Sequence, residues 1–362
     1  MGRRPRAVSI APVTWRDGVH LTGTPIWCDA RRRRDICFVS SVDRVGRTGH
    51  GQLIGSPITL ALLGARGDGH LAVPLRQRFT LGTVRLELIP SGRGLGAAAL
   101  HVDVVGRTVL YAGAVRTVAS GFIEAADVRA CDALVIDAPL AEGEELESLD
   151  EVAGRVVEWT REQLAAGLPT VLVVDSAIDG IEVAARVLAE GVPVAGSKAL
   201  RDAVTQLAGL ATVPVLRAPG REPAVLIRVE SERAKIVDRE ARALVSFRAI
   251  DPRVGAGIGT HAGASRGSPG AGGAARSRAG AATRSGAAAR SGARAATEIG
   301  PRWAASFAWP FVADRAQLLG WIEQTRARDV FVTGAGADSI AAALGPRARV
   351  IGPPRQMALF GT

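Results

Sequence analysis

The chain has 362 residues, 47% of them hydrophobic, which suits one large or two ordinary domains, each with a buried core. Its three cysteines, none in C-x-x-C spacing, exclude a disulfide-built scaffold and suit a reducing cytoplasm. The net charge of +10 is weak evidence for a nucleic-acid partner, because only two basic residues are lysines and asparagine is absent, as a GC-rich coding bias would produce.

The first 140 residues predict strands with few helices between them. Residues 84–90 alternate polar and apolar side chains, and 100–105 and 108–112 repeat that pattern. Gly106 and Arg107 between the last two runs predict a hairpin turn. Residues 133–137 form an apolar run that predicts a buried strand.

From residue 141 the pattern changes to alternating helices and strands. An acidic stretch, 142–151, leads into a helical pattern that continues to Leu164, and its acids suit the first turns of a helix. A strand at 170–175, a helix at 179–190, a short strand at 192–196 and a helix at 198–208 follow. This alternation predicts β-α units on a parallel sheet.

Residues 254–297 consist almost entirely of Gly, Ala, Ser, Thr and Arg, with six arginines and no acid. Such a stretch buries too little apolar surface to offset the entropy of ordering, which predicts a disordered insertion. A passive linker is favoured over a nucleic-acid contact. Beyond it we expect a helix at 314–327, a strand at 329–333, a helix at 337–344 and a strand at 348–351.

Three short motifs are candidate phosphate contacts. The glycine-rich turn at 92–97 follows a strand but precedes another strand, which excludes a dinucleotide fingerprint. The turn at 334–339 stands between a strand and a helix, where backbone N–H groups can hold an anion, but no ribose-binding acid ends the following strand, so an ordinary β-α turn is favoured. The run Arg31–Arg34 fits either phosphate contacts or a solvated loop.

The order of further motifs resembles a known family. Residues 37–46 (CFVSSVDRVG) stand where that family has a strand followed by H-x-H-x-D-H, and 53–62 are similar to the segment after it. Residues 89–96 are similar to its P-x-G-H-x-x-G, 109–114 to its Y-T-G-D, and 132–138 to the strand that ends in an acid. Residues 309–316 are similar to its S-D-H-A segment, and 330–334 to its closing strand. The chain thus resembles the metallo-β-lactamase/β-CASP nucleases of the RNA-processing or DNA-ligase-associated exonuclease type.

The resemblance implies an α/β fold: a four-layer αββα metallo-β-lactamase sandwich with an inserted β-CASP-like α/β domain. Residues 1–140 would form the first half of the sandwich and 141–250 the inserted domain. Residues 251–301 would be the disordered Gly/Ala/Arg insertion, and 302–362 would complete the sandwich.

In this family two zinc ions need histidines and carboxylates around them. The corresponding positions here are Ser41, Asp43, Val45, Gly46, Arg93, Ala114, Asp137, Arg315 and Gly334. Only Asp137 keeps a ligand-type residue in its place. We therefore expect no catalytic residue, no metal and no cofactor.

Arginines at two vacated positions suggest two hypotheses. A buried charge must be paired, so an arginine that forms an ion pair with Asp137 is expected to fill the former site, with Arg93 and Arg315 pointing towards it. Alternatively, guanidinium groups replace the metal charge and bind a phosphate without cleaving it. The candidates for that role are Arg93, Arg315 and Arg44.

These observations favour an inactive, cytoplasmic pseudoenzyme that binds RNA or DNA, or a partner in RNA processing or DNA repair. That partner would be an intact nuclease paralogue, a ligase or a helicase. An active metal-dependent hydrolase with an atypical site and a structural, non-catalytic subunit remain the alternatives. No run of about 18 uncharged apolar residues is present, so no membrane partner is expected.

Overall fold

A computed structural model of the chain describes residues 11–44, 49–65, 67–104, 106–140, 145–232, 240–247 and 303–353. Within these ranges the chain folds into three β-sheets and six α-helices, a mixed α/β fold. The predicted fold class is therefore confirmed at the level of α/β. The low-complexity segment at 254–297 lies outside the described residues.

The first sheet has six strands in chain order. They are β1 (Val13–Trp15), β2 (Val19–Leu21), β3 (Ile26–Cys28), β4 (Ile36–Phe38), β5 (Gln52–Gly55) and β6 (Leu71–Ala72). The strands β1 to β3 are antiparallel, whereas β3 to β6 are parallel. Helix α1 (Pro57–Leu62) follows β5, and the side chain of Ser56 caps its first turn.

The second sheet has seven strands in the order β18-β17-β11-β10-β9-β8-β7. They are β7 (Arg78–Leu81), β8 (Val84–Pro90), β9 (Ala98–Val104), β10 (Arg107–Gly113), β11 (Ala133–Asp137), β17 (Asp329–Thr333) and β18 (Ala348–Val350). The predicted hairpin between β9 and β10 is confirmed, since the strands are antiparallel and Gly106 has a φ of 75°. The strands β10, β11, β17 and β18 run parallel.

The first two sheets pack face to face around a shared apolar core. Phe38 of the first sheet belongs to the same buried cluster as Leu88, Leu100 and Val135 of the second. The alternation of buried residues along β2 and β3 explains why one face of the first sheet enters this core. On its other face the second sheet buries a separate cluster that includes α5 (Arg315–Gln324) and α6 (Ala337–Leu344).

The third sheet is parallel, with the order β13-β14-β12-β15-β16. Its strands are β12 (Thr170–Val174), β13 (Val194–Gly196), β14 (Val225–Val229), β15 (Ala241–Ser246) and β16 (Ala305–Ala308). Its helices are α2 (Leu149–Ala165), α3 (Ala177–Ala189) and α4 (Lys198–Gln206). The predicted β-α alternation is confirmed here, and a serine side chain caps the start of each helix.

One helix begins later than predicted, and one strand belongs to a different sheet. Helix α2 begins at Leu149, after most of the acidic stretch, so that only Asp150 and Glu151 lie in its first turn. Strand β16 pairs with β15 in the parallel sheet, so the prediction that all of 302–362 completes the first two layers is wrong for this strand.

Among the described helices, none is both long enough and apolar enough to cross a lipid bilayer.

Candidate functional site

A cleft of about 740 Å³ opens where several strands of the first two sheets end. Its polar lining includes Asp29, which follows β3, together with Asp137 at the end of β11 and Thr333 at the end of β17. Trp15 and Phe247 contribute aromatic side chains. The remaining lining residues are Cys28, Arg31, Asp43, Arg44, Tyr111, Pro139, Gly334, Ala335, Asp338, Val350, Ile351, Gly352 and Pro353.

Arg44 bridges two carboxylates in this cleft. Its Nη2 donates a hydrogen bond to Oδ2 of Asp137 at 2.8 Å, and its Nε lies 4.0 Å from Oδ2 of Asp29. Both carboxylate side chains are only 7% exposed, whereas 31% of the Arg44 side chain remains accessible. The charge of Asp137 raises the pKa of Arg44 above its usual value. The arginine is thus a permanent cation that the cleft holds in place.

Asp29 adopts a left-handed backbone conformation, with a φ of 44°. Its side chain accepts hydrogen bonds from the backbone N–H of Ser40 at 2.8 Å, the hydroxyl of Ser40 at 2.5 Å and the hydroxyl of Tyr111 at 2.8 Å. Burial nevertheless raises the pKa of Asp29, although Arg44 and these donors oppose it. Burial and the neighbouring Asp29 also raise the pKa of Tyr111, which keeps its hydroxyl a neutral donor.

Gly334 closes the cleft beside Asp137, and only a glycine fits there. Its φ is 97°, and an added Cβ would lie 2.3 Å from the carbonyl oxygen of Ala138 and 2.7 Å from Oδ1 of Asp137. The same Asp137 oxygen accepts a hydrogen bond from the hydroxyl of Thr333 at 2.8 Å. The turn therefore leaves no volume for a side chain at position 334, where the family has a metal ligand.

We expect Gly334→Ala to lower the free energy of unfolding by about 2 kcal/mol, because the left-handed conformation and the backbone clash add. Gly191→Ala is a matched control, since Gly191 also has a positive φ, of 76°, but has no neighbouring atom within 4 Å of an added Cβ. Urea denaturation of both variants measures the difference. Equal losses in the two variants would contradict the close packing around Gly334.

Arg93 does not pair with Asp137, so the prediction for this residue is wrong. Its guanidinium donates to Oδ1 of Asp179 at 2.6 Å and to Oδ2 of Asp43 at 2.9 Å. The side chain is only 4% exposed and lies over the ring of Phe311. Because two carboxylates already occupy its donors, Arg93 cannot grip a phosphate in the folded chain. Burial raises the pKa of Asp43, but Arg93 and Arg44 outweigh burial and hold it below its usual value.

Arg315 also lies away from the predicted place. It begins α5, and its Nε donates to the hydroxyl of Ser339 on α6 at 2.9 Å. It lines a small depression with Ala138 rather than the cleft. The arginine beside Asp137 is therefore Arg44, the third of the predicted phosphate ligands.

The remaining family positions contribute little polar chemistry. Ser41 is buried, and Ala114 packs in an apolar cluster with Leu140 and Val312. Val45 and Gly46 lie outside the described residues. Two groups that sequence reasoning missed, Asp29 and Thr333, each follow or end a strand, which was the available signal for them.

The donor set of the cleft does not fit two zinc ions. No histidine is among the described residues that line it, and the guanidinium of Arg44 lies between the carboxylates of Asp29 and Asp137. In the part of the chain that the structure describes, no three or more His, Cys, Asp and Glu side chains are placed to hold a metal ion. A mechanism that depends on metal-activated water therefore has no support from these residues.

Comparisons with known proteins leave the family open. No protein-family model matches the sequence, and no curated protein matches it. Among solved structures, a protein of unknown function from Enterococcus faecalis V583 is similar over 58% of this chain, with 10% sequence identity and a TM-score of 0.41. The match spans 61% of the length of that protein.

Proposed function

We propose that the chain is a metal-free, non-hydrolytic relative of the metallo-β-lactamase/β-CASP nucleases that binds nucleic acid without cleaving it. The two face-to-face sheets, with helices outside the second, suit the sandwich of that family. The separate parallel sheet that follows β11 in the chain suits its inserted domain. The order of motifs in the sequence is the reason to compare this chain with that family.

The position of Arg44 carries the proposal. A guanidinium stays charged at any physiological pH and binds phosphate oxygens through several donors, but it cannot ionise a water molecule as a metal does. Arg44 is held between Asp29 and Asp137 and remains partly accessible from the cleft. Unlike Arg93, it is 31% exposed and lies beyond hydrogen-bond distance of its second carboxylate, Asp29, so it keeps donors with which to bind the phosphate of a strand end.

A cytoplasmic location is part of the proposal. Cys28, Cys37 and Cys131 are all unpaired and buried. Burial raises the pKa of Cys37 and of Cys131 to about 12, so both thiols are protonated and unreactive at neutral pH. Free thiols of this kind suit a reducing compartment.

We expect the purified protein to bind a fluorescein-labelled oligodeoxythymidylate or oligouridylate and to leave it intact. The double variant Arg44→Gln/Asp137→Asn removes the guanidinium together with the carboxylate that it hydrogen-bonds, while Asp29 keeps its hydrogen bonds from Ser40 and Tyr111. Because it deletes a charge-assisted contact of about 1.5–3 kcal/mol, it should weaken binding at least tenfold in a fluorescence anisotropy titration.

Metal analysis of the same preparation separates binding from catalysis. The proposal expects substoichiometric zinc and manganese and no cleavage products on a denaturing gel. Stoichiometric metal together with cleavage that a chelator abolishes would overturn it in favour of an active hydrolase. Failure to bind either oligonucleotide at low salt would reject nucleic acid as the ligand.

A further inference from the structure

An exposed run of arginines lies at the mouth of the cleft. Arg31 is among the residues that line the cleft, and Arg32 and Arg33 follow it on the surface. The chain then turns back into β4, after Arg34. We call residues Arg31–Arg34 the arginine turn.

Arg44, which lines the cleft, and Arg93, which hydrogen-bonds the lining residue Asp43, each give part or all of their donors to buried carboxylates. Arg44 pairs with Asp137, and Arg93 pairs with Asp43 and Asp179. In the arginine turn the situation differs, because Arg32 makes one ion pair with Asp17, at 3.0 Å, and its side chain is 75% exposed. Such surface pairs contribute about 1 kcal/mol or less, so a phosphate can displace Asp17 at little cost.

The arginine turn is held in one position by contacts at both ends. The backbone N–H of Arg31 donates to the carbonyl oxygen of Asp17 at 2.7 Å. The guanidinium of Arg34 lies 3.7 Å above the ring of Trp27 and donates to the carbonyl oxygen of Arg16 at 2.5 Å. Arg32 and Arg33 therefore project from a fixed backbone, which reduces the entropy lost when they bind a ligand.

An aromatic side chain stands next to the arginine turn. Trp15 ends β1, is half-buried and lines the cleft together with Arg31. The hydrogen bond from Arg31 to Asp17 ties the arginine turn to the β1–β2 connection that carries this tryptophan. Proteins that bind single strands combine a basic surface for phosphates with aromatic rings on which unpaired bases stack.

We infer that the arginine turn and Trp15 form the entry for a single-stranded nucleic acid, with phosphates on Arg32 and Arg33 and a base on Trp15. This inference rests on the proposed function, because it assigns the strand a path into the same cleft. A duplex would present its phosphates to Arg32 and Arg33 but no free base to Trp15.

The test compares two double variants that remove the same charge. Arg32→Gln/Arg33→Gln changes the arginine turn, and Arg217→Gln/Arg221→Gln changes two exposed arginines beyond the edge strand β13. Anisotropy titrations with oligodeoxythymidylate, oligouridylate and a duplex are repeated over a series of salt concentrations. Each lost single-strand phosphate contact lowers the slope of log K against log salt by about 0.7.

For the arginine-turn variant we expect the slope to fall by about 1.4 and single-strand affinity at low salt to fall roughly tenfold, with the control near wild type. If the variant loses affinity for both oligonucleotides, the contacts are to phosphodiesters in general. If it loses affinity for only one of them, the contacts are specific for the DNA or the RNA backbone of that oligonucleotide. If the wild type binds but both variants change the slope equally, or if the duplex binds as tightly as a single strand, the inference is overturned and the proposed function stands. If the wild type binds neither oligonucleotide, both fail.

Discussion

Replacing Arg93 with methionine should lower the free energy of unfolding by about 3–5 kcal/mol, the usual cost of removing one partner from a buried ion pair. Asp179, which faces Arg93, is 1% exposed. Without the guanidinium its carboxylate would keep only the hydroxyl of Ser176 as a hydrogen-bond donor from another side chain among the described residues. Methionine replaces most of the lost volume, so the loss reports the unpaired charge rather than a cavity.

The Arg93–Asp179 pair joins two parts of the fold, so its loss should destabilise more than the turn that carries Arg93. Arg93 follows β8 of the second sheet, whereas Asp179 lies in the first turn of α3 beside the parallel sheet. One turn further along α3, Glu182 pairs at 2.7 Å with Arg116, which also comes from the second-sheet side. Two buried ion pairs therefore join α3 to the second sheet.

Arg76→Met is the matched control for the Arg93 variant. Arg76 also binds two carboxylates, Glu124 and Asp127, but its side chain is 47% exposed. Exposed pairs are worth about 1 kcal/mol or less, so this variant should unfold at nearly the wild-type urea concentration. Similar shifts of the urea midpoint in the two variants would show that the contribution of the Arg93 ion pairs to the free energy of unfolding does not depend on their burial.

The sequence predicted those elements whose pattern is local. The alternating run at 84–90 and the runs at 133–137, 170–175 and 329–333 all form strands within one residue of their expected bounds. Helix α1, of six residues, is too short to show a helical period, and it was missed. Strands β14, β15 and β16 were missed too, although burial alternates along β14. Strand β16 has only four residues, and the low-complexity segment separates it in the chain from its neighbour β15.

The candidate site could be predicted only in part, because its contacts join distant residues. Asp137 stood out as an acid at the end of a buried strand, and it lies in the cleft. Nothing local in the sequence says which of many arginines reaches it, and Arg44 is 93 positions away in the chain. Asp179 has the pattern of an ordinary acid in a first helical turn, and only packing makes it the partner of Arg93. The left-handed conformation of Asp29 has no local sequence signal either.

Asp175 should make the chain less stable as pH rises, and Asp175→Asn should remove that dependence. The residue follows β12, and its carboxylate accepts a hydrogen bond from the hydroxyl of Ser246 at 2.6 Å. Burial, the largest cause, and the nearby charges of Asp179 and Glu230 raise its pKa to about 6, against the opposing effects of Ser246 and Arg93. The folded chain therefore binds this proton more tightly than the unfolded chain, in which the pKa of an aspartate is about 3.9.

The direction of the pH effect follows from that difference. The contribution of Asp175 to the free energy of unfolding is fully present below about pH 4 and is lost as pH rises through about 6. The total loss is at most about 3 kcal/mol. Asparagine has no charge to bury and its amide oxygen still accepts a hydrogen bond from Ser246. The variant should therefore match the wild type near pH 4 and exceed it by about 2–3 kcal/mol at pH 8.

Urea denaturation at the two pH values, with each variant compared with the wild type, isolates Asp175 from the other carboxylates that titrate in this range. Asp150→Asn makes the same chemical change at a side chain that is 84% exposed, and it should change the free energy of unfolding by less than about 1 kcal/mol at either pH. A variant Asp175→Asn that is less stable than the wild type at pH 8 would mean that the ionised carboxylate is stabilised in the fold. In that case the donors around Asp175, rather than its burial, would set its charge, because Ser246 and Arg93 would outweigh the repulsion of Asp179 and Glu230.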